Sequence, residues 1–472
     1  MTLALRNAWT NWTGNCARYN RTMEKALSPD TTISAYCQRR HLLAERMRLA
    51  GGGVALIPTA PEQARNRDTH YPYRADSYFQ YLTGFTEPEA VLVIVAGVGA
   101  AESQSILFCR EKNAERETWD GFRYGPEGAR VAFGFDAANV IGDLDARLPE
   151  LLADQPAFWF SIGQDPAWDV RVTAALNKVR GESRTGKRAP PVIRDIRAEL
   201  DAMRLIKDGA ELEIMRRVSE ISCSAHIRAM RFAAPGRFEY EIEAELLHEF
   251  RRHGCEFPAY TPIVAGGANA CILHYVGNDQ PLRDGDLLLI DAGGELSGYA
   301  SDITRTFPVG GRFSGPQADI YDLVLDAQAA AIAAVRPGAN FADPHSAALK
   351  VLAQGMIDMK LLTGSLDAVL ESESYKRFYM HRTSHWLGKD VHDAGEYKEG
   401  EHWAPLVPGM VLTIEPGCYI RPADDVREVF WNIGVRIEDD AVVTKEGCEI
   451  ITVAAPKTIA DIEALMRDAR GR

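Results

Sequence analysis

The stretch Leu282-Arg-Asp-Gly-Asp-Leu-Leu-Leu-Ile-Asp-Ala-Gly-Gly-Glu295 drives an apolar run into a carboxylate and then turns. Leu287, Leu288, Leu289 and Ile290 are consecutive and apolar, which predicts a short strand buried on both faces. Asp291 closes the run, and Asp302 follows after a glycine-bearing connection that lets the chain fold back as a hairpin. Two carboxylates then lie side by side at the edge of a core. Ionised acids are costly there unless something positive offsets them. The nearest basic residue on the stretch is Arg305, one guanidinium against two acids, so a bound cation is the cheaper balance.

Outward from this segment, the same pattern returns in Leu406-Val-Pro-Gly-Met-Val-Leu-Thr-Ile-Glu415. Leucine, glycine, apolar run, isoleucine and terminal acid fall at matching offsets, and a glycine follows each acid within two residues (Gly293, Gly417). The chain therefore repeats one acid-tipped strand. A fourth acid, Glu438, closes the apolar run Ile433 to Ile437, and His385 stands between the two copies. Two related halves, each offering carboxylates from a strand end, would make one shared site for a pair of metal ions.

At 472 residues the chain is too long for one ordinary core, so two domains are expected. A net charge of -13 disfavours nucleic acid and anionic membrane as partners, because both need clustered Lys and Arg. The eight cysteines are spread singly, with no CxxC, as in a cytoplasmic protein with reduced thiols. The N-terminus lacks the apolar core and cleavage site of a secretory signal. The longest apolar run, Ala90 to Ala101, contains two glycines and falls short of the ~20 residues a membrane helix needs; it reads as a central strand. In the cytosol, the sequons at Asn11 and Asn20 are chance matches.

Residues 1–32 lack clear periodicity and read as an N-terminal extension. Residues 33–195 read as an α/β domain: a helical pattern from Ile33 to Leu49, then strands at Val54 to Pro58, Ala90 to Ala96, Ser105 to Cys109 and within Ala153 to Gly163. The aromatic stretch Tyr71 to Phe85 suits a wall packing one domain on another better than a ligand platform. The charged, proline-bearing stretch Arg180 to Pro191 reads as a solvated approach to a domain boundary. Residues 200–472 form the second domain. A helix begins at Asp208 with Ile214, Val218, Ile221 and Ala225 on one face, and Pro235-Gly236 stops it. Helices at Glu239 to Arg252, Pro316 to Val335 and Ala342 to Met359 complete an order of two helices and then strands, given twice.

The candidate ligands are Asp291, Asp302, His385, Glu415 and Glu438. Four carboxylates and one imidazole suit Mn²⁺ or Mg²⁺ and, less well, Zn²⁺ or Co²⁺. Two such ions ~3.5–4 Å apart would trap a water whose lowered pKa makes hydroxide available near neutral pH, a hydrolase arrangement. A solvated or salt-bridged strand end explains one acid easily and four poorly. Around the ligands lie His274, His381, His392 and Arg436, and three of the 11 histidines crowd between His381 and His392, which is a functional signal. His381 and His385 form HxxxH without the glutamate of HExxH, so zincin chemistry is not supported.

Four segments carry a resemblance: Ile290 to Thr306, His381 to Asp393, Ile414 to Tyr419 and Gly434 to Asp439. They resemble the motifs of the Xaa-Pro aminopeptidases (aminopeptidase P) of the creatinase, or pita-bread, metallopeptidase family, over about residues 35 to 460. The resemblance implies a mixed α/β (α+β) protein, a creatinase-like N-terminal domain plus a C-terminal pita-bread domain with an internal pseudo-twofold repeat. It implies two divalent ions, usually manganese: Asp291 on one ion, Asp302 and Glu438 bridging, His385 and Glu415 on the other. His392 would stabilise the tetrahedral oxyanion, His274 and His381 would contact the substrate, and Arg436 and Tyr419 would support the site. Hydroxide would attack the carbonyl before proline while Glu415 shuttles the proton. Homo-dimers or homo-tetramers are common in the family, and Trp119 sits where such enzymes can lend an aromatic to a neighbouring site. One departure is visible: many members have His-Gly-x-x-His, and here Arg382 and Thr383 follow His381.

The expected substrates are peptides with proline in second position. An Xaa-Pro dipeptidase (prolidase) shares the ligand set and is the nearest rival. The short step from Glu415 to Glu438 and the Ser384-His-Trp-Leu-Gly388 wording favour the aminopeptidase. Methionine aminopeptidases usually lack a large N-terminal domain of this type. A non-enzymatic relative would have lost ligands, and a metal-free creatinase-type enzyme would not need the acids.

Overall fold

The computed structural model describes residues 29–97 and 102–470. Residues 1–28, with the two sequons and most of the extension expected over 1–32, lie outside the described residues, and Pro29 already begins a helix. The chain divides into two compact units between Leu200 and Asp201.

The first unit is built on a six-stranded sheet in the order Ala137–Val140, Gln104–Cys109, Val91–Ala96, Gly53–Pro58, Phe158–Trp159 and Ile193–Arg194. Val91–Ala96 pairs antiparallel with both neighbours, which is why its run of apolar residues is buried as a central strand. Leu144, Leu148 and Leu152 recur at helical spacing on Leu144–Leu152, as do Val172, Leu176 and Val179 on Pro166–Gly181. These rows close one core with Val54, Val91 and Val93. Arg180 to Pro191 leads into the edge strand Ile193–Arg194 and so belongs to this unit. The aromatic stretch forms the helix Ser77–Thr83, capped by Asp76, and its buried Phe79 and Phe85 pack on each other, with Phe85 also on Phe133. These rings wall the unit's own core.

The second unit starts from a capped helix. Asp208 Oδ1 accepts from Glu211 N at 2.9 Å, and Glu211 Oε2 accepts from Asp208 N at 3.0 Å, so two donors at the start of Gly209–Phe232 are satisfied together. Val218, Ile221 and Ala225 are buried as the spacing requires. Glu239–Arg252, Gly315–Ala334 and Asp343–Asp358 are the other long helices that precede strands.

The strand Leu287–Asp291 lies between Ile263–Gly266 and Thr304–Pro308, antiparallel to both, with Asp291 opposite Ile263 and Thr304. Leu288 and Ile290 join a core shared with Leu412, Ile414 and Val435. That packing fixes how deep Asp291 sits, and truncating Leu288 to Ala would cost about 2–5 kcal/mol. The return to Asp302 carries a small hairpin, Gly294–Leu296 against Tyr299–Ala300. Gly293 is required there, because a Cβ would lie 1.7 Å from the Ser301 carbonyl oxygen.

The second acid-tipped copy forms Val411–Ile414, paired with Asp439–Val443, beside the ribbon Gly417–Ile420 and Ile433–Arg436. The two copies are sewn together where Glu438 N donates to Thr304 O at 3.0 Å and Thr306 Oγ1 donates to Arg436 O at 2.9 Å. Carboxylates from both halves thereby reach one place.

Candidate active site

Asp291 and Asp302 face each other across one phenol. Tyr260 Oη lies 2.5 Å from Asp291 Oδ1 and 2.5 Å from Asp302 Oδ1. Glu438 is aimed by its neighbour strand: Thr304 Oγ1 donates to Glu438 Oε2 at 2.6 Å. His385 is held against the second copy, its backbone N on Thr413 Oγ1 and its carbonyl accepting from Thr413 N. His385 Nδ1 donates to Trp386 O at 3.0 Å, which leaves Nε2 facing the acids. That Nε2 lies 3.4 Å from Asp302 Oδ2 and 3.7 Å from Glu415 Oε1. Asp302, His385 and Glu438 each present a ligand atom, all within 4.8 Å of one another. Asp291 reaches this trio through Tyr260, and Glu415 through His385.

The electrostatics are those of a site short of positive charge. Burial pushes Asp302 and Glu438 above the usual carboxylate range; Asp291 adds to the rise of Asp302, and Asp302 and Glu415 add to that of Glu438. Burial likewise raises Glu415, to about 7, against the pull of His385. His385 rises to about 9: burial works against this, and Asp302 and Glu415 outweigh it. Arg305 does not supply the missing cation. It is fully buried on the opposite side of its strand from Thr304 and Thr306, with Nη2 2.7 Å from Asp439 Oδ1. Alternation along a strand sends it away from the acids. The guanidinium at the site is Arg436, whose Nη2 lies 2.6 Å from Asp291 Oδ2. Arg436 and a protonated His385 set two positive charges against four acids, and a hard, oxygen-rich donor set of this kind fits divalent ions.

A line of donors runs from Arg436 along the rim. Arg436 Nη1 donates to Tyr419 Oη at 3.1 Å, Tyr419 Oη lies 2.8 Å from His381 Nε2, and His381 Nδ1 lies 2.7 Å from Arg382 O. This order fixes the tautomer: Tyr419 donates to Nε2, and Nδ1–H donates to the carbonyl. Burial, with Arg436 nearby, lowers His381 to about 3, so the ring is neutral. His392 is exposed, its ring 4.3 Å from that of His385. His274 is exposed as well and close enough to help lower both His381 and His392. Trp119 lies on the helix Ala114–Asp120 of the first unit, 81% exposed.

Residues 213–445 match the metallopeptidase family M24 model, and residues 36–159 match the aminopeptidase P N-terminal domain. The chain is 43% identical over 433 residues to the Xaa-Pro aminopeptidase of Escherichia coli K12, covering 92% of this chain and 97% of that one. The chain belongs to metallopeptidase family M24. Among solved structures, Pseudomonas aeruginosa aminopeptidase PepP superposes with a TM-score of 0.91 at 48% identity, covering 93% of this chain and 99% of that one. Zinc-substituted E. coli aminopeptidase P in complex with product matches at 42% identity and a TM-score of 0.90, again over 93% and 99%. The same enzyme with the inhibitor Pro-Leu matches equally well, at 42% and 0.90 over 93% and 99%. The fold is thus the mixed α/β architecture expected, an aminopeptidase P N-terminal domain followed by the pita-bread domain of the M24 family.

Within the M24 unit the structure adds residues that the sequence reading did not single out. Tyr260 lies three residues before Ile263, and only the pairing of Ile263 with Asp291 brings it to the acids. Asp393, next to His392, is buried between Lys207 Nζ at 3.0 Å and Arg204 Nη2 at 2.5 Å. That cluster anchors the segment carrying His392. A buried ion pair linking residues so far apart has no local sequence signal.

Proposed function

We propose that this metallopeptidase removes the N-terminal residue from peptides whose second residue is proline. The observation that carries the reading is the gathering of Asp291, Asp302, His385, Glu415 and Glu438 into one acid-rich, cation-poor centre. We assign these five residues to two divalent ions, Mn²⁺ first, with Zn²⁺, Co²⁺ and Mg²⁺ as alternatives. When bound, such ions acidify a water nucleophile and polarise the scissile carbonyl. Glu415 would take a proton from the water and pass it to the departing proline nitrogen. His392 would donate to the developing oxyanion. Arg436 orients Asp291 and, through Tyr419, fixes His381 beside the substrate, which His274 would contact as well. Proline offers no N–H, so selection must come from the shape framed by His274, His381 and Tyr419.

The names of the relatives favour an aminopeptidase over a dipeptidase. Pro-Leu, the inhibitor of the E. coli enzyme, keeps a residue after proline, as the product of an Xaa-Pro-Leu cleavage would. Metal-reconstituted protein should release the first amino acid from an Xaa-Pro-Xaa tripeptide. Cleavage of an Xaa-Pro dipeptide alone would overturn the assignment. Less than one ion per chain with no cleavage in added Mn²⁺ would favour a non-enzymatic role.

We further propose a cytoplasmic homo-dimer or homo-tetramer. The seven cysteines among the described residues are all free, as suits a reducing compartment. Trp119 is exposed as a residue lent to a neighbouring copy would be. A monomer by light scattering, or Trp119→Ala without effect on KM, would remove that support.

A further inference from the structure

Beside the acid centre the M24 unit carries a cavity of about 430 Å³, walled in part by Leu273, Phe378, Met380, Tyr419, Arg377 and Arg421. Its place follows from the chain. Leu273 and Met380 directly precede His274 and His381, and Tyr419 is the residue whose hydroxyl meets His381 Nε2 at 2.8 Å. The cavity therefore adjoins the two histidines assigned to substrate contact.

The two arginines of the wall differ in charge balance. Arg377 is cancelled, its Nη1 and Nη2 each 2.6 Å from an oxygen of Asp425. Arg421 Nη2 donates to the Cys271 carbonyl at 2.8 Å, and among the described residues no carboxylate pairs with it. A cavity with one uncancelled guanidinium in its wall favours a carboxylate and disfavours an ammonium group.

We propose that this cavity receives the substrate beyond proline and that Arg421 selects a carboxylate there. That carboxylate is either an acidic third side chain or the free C-terminus of a tripeptide. The inference rests on the Xaa-Pro reading given above. In the metal-loaded full chain, kcat/KM is to be compared for Ala-Pro-Glu-amide, Ala-Pro-Gln-amide, Ala-Pro-Lys-amide and Ala-Pro-Gln with a free C-terminus. The acidic or free-acid peptide should exceed the glutamine amide by about tenfold, with lysine lowest. Whichever of the two is preferred identifies the source of the carboxylate. Arg421→Gln should bring the preference to about one and Arg421→Lys should retain part of it. Because Arg421 also braces the Cys271 carbonyl, Asp425→Asn supplies an independent arm: it frees Arg377 and should increase the preference. Equal preferences in wild type and Arg421→Gln, or no rise in Asp425→Asn, overturn the proposal. Failure to cleave any of the four peptides overturns the Xaa-Pro reading instead.

Discussion

Glu438 and Asp439 are adjacent, both buried, and meet opposite fates. Burial raises the pKa of Glu438, and Asp302 and Glu415 beside it add to the rise. Asp439 stays below the carboxylate range despite burial, because Arg305 and Lys457 press against it at 2.7 and 2.6 Å. Asp393 repeats the second pattern with Lys207 and Arg204. The protein therefore neutralises Asp439 and Asp393 with its own side chains. It leaves Asp302, Glu415 and Glu438 of the centre without a lysine or arginine ion pair among the described residues.

The sharpest way to break this comparison is to remove one carboxylate of each kind. Glu438→Gln or Asp302→Asn should lower kcat/KM on an Xaa-Pro tripeptide by on the order of a thousandfold and reduce bound metal. The metal-free melting temperature should hold or rise, since an uncompensated acid is lost. Both ions retained, with activity within about tenfold of wild type, would refute the division of roles. Asp439→Asn should instead cost about 3–5 kcal/mol in urea unfolding, because Arg305 would be left buried and unpaired.

The pH dependence should differ in sign between the two kinds. Glu415 has a folded pKa of about 7 against an ordinary 4.5, so between those values the folded state binds more proton than the unfolded one. Chelated protein should lose stability as pH rises through that window, by about 2 kcal/mol once the 18% exposure of the side chain is discounted. Asp439 and Asp393 contribute stability above 3.8 and lose it as pH falls through their lowered folded values. Melting curves of chelated protein that rise across pH 4.5 to 7, as those of metal-loaded protein should, would count against the comparison. The smallest effect is reserved for Tyr260→Phe, which removes the hydroxyl between Asp291 and Asp302. Metal affinity should fall about tenfold in a competition titration, and no change would make the phenol a bystander.

The acid-tipped strands were legible because burial on both faces writes itself as consecutive Leu and Ile, with a polar terminus where the strand leaves the core. Helix limits were legible at Asp208 and at Pro235-Gly236, where capping and proline chemistry are local. Arg305 misled, since proximity along a strand says nothing of which face a side chain takes. Tyr260, and Lys207 with Asp393, depend on pairings between distant segments, and one sequence carries no record of those. The aromatic stretch around Phe79 and Phe85 was legible as packing, while what it packs against was not.

The stitching of Glu438 to Thr304 also has a temporal side. A ribosome must extrude the chain past Glu438 before the last of the five proposed ligands can meet the others. Hydrolytic power is thus withheld from the nascent polypeptide until both copies of the acid-tipped strand have been made.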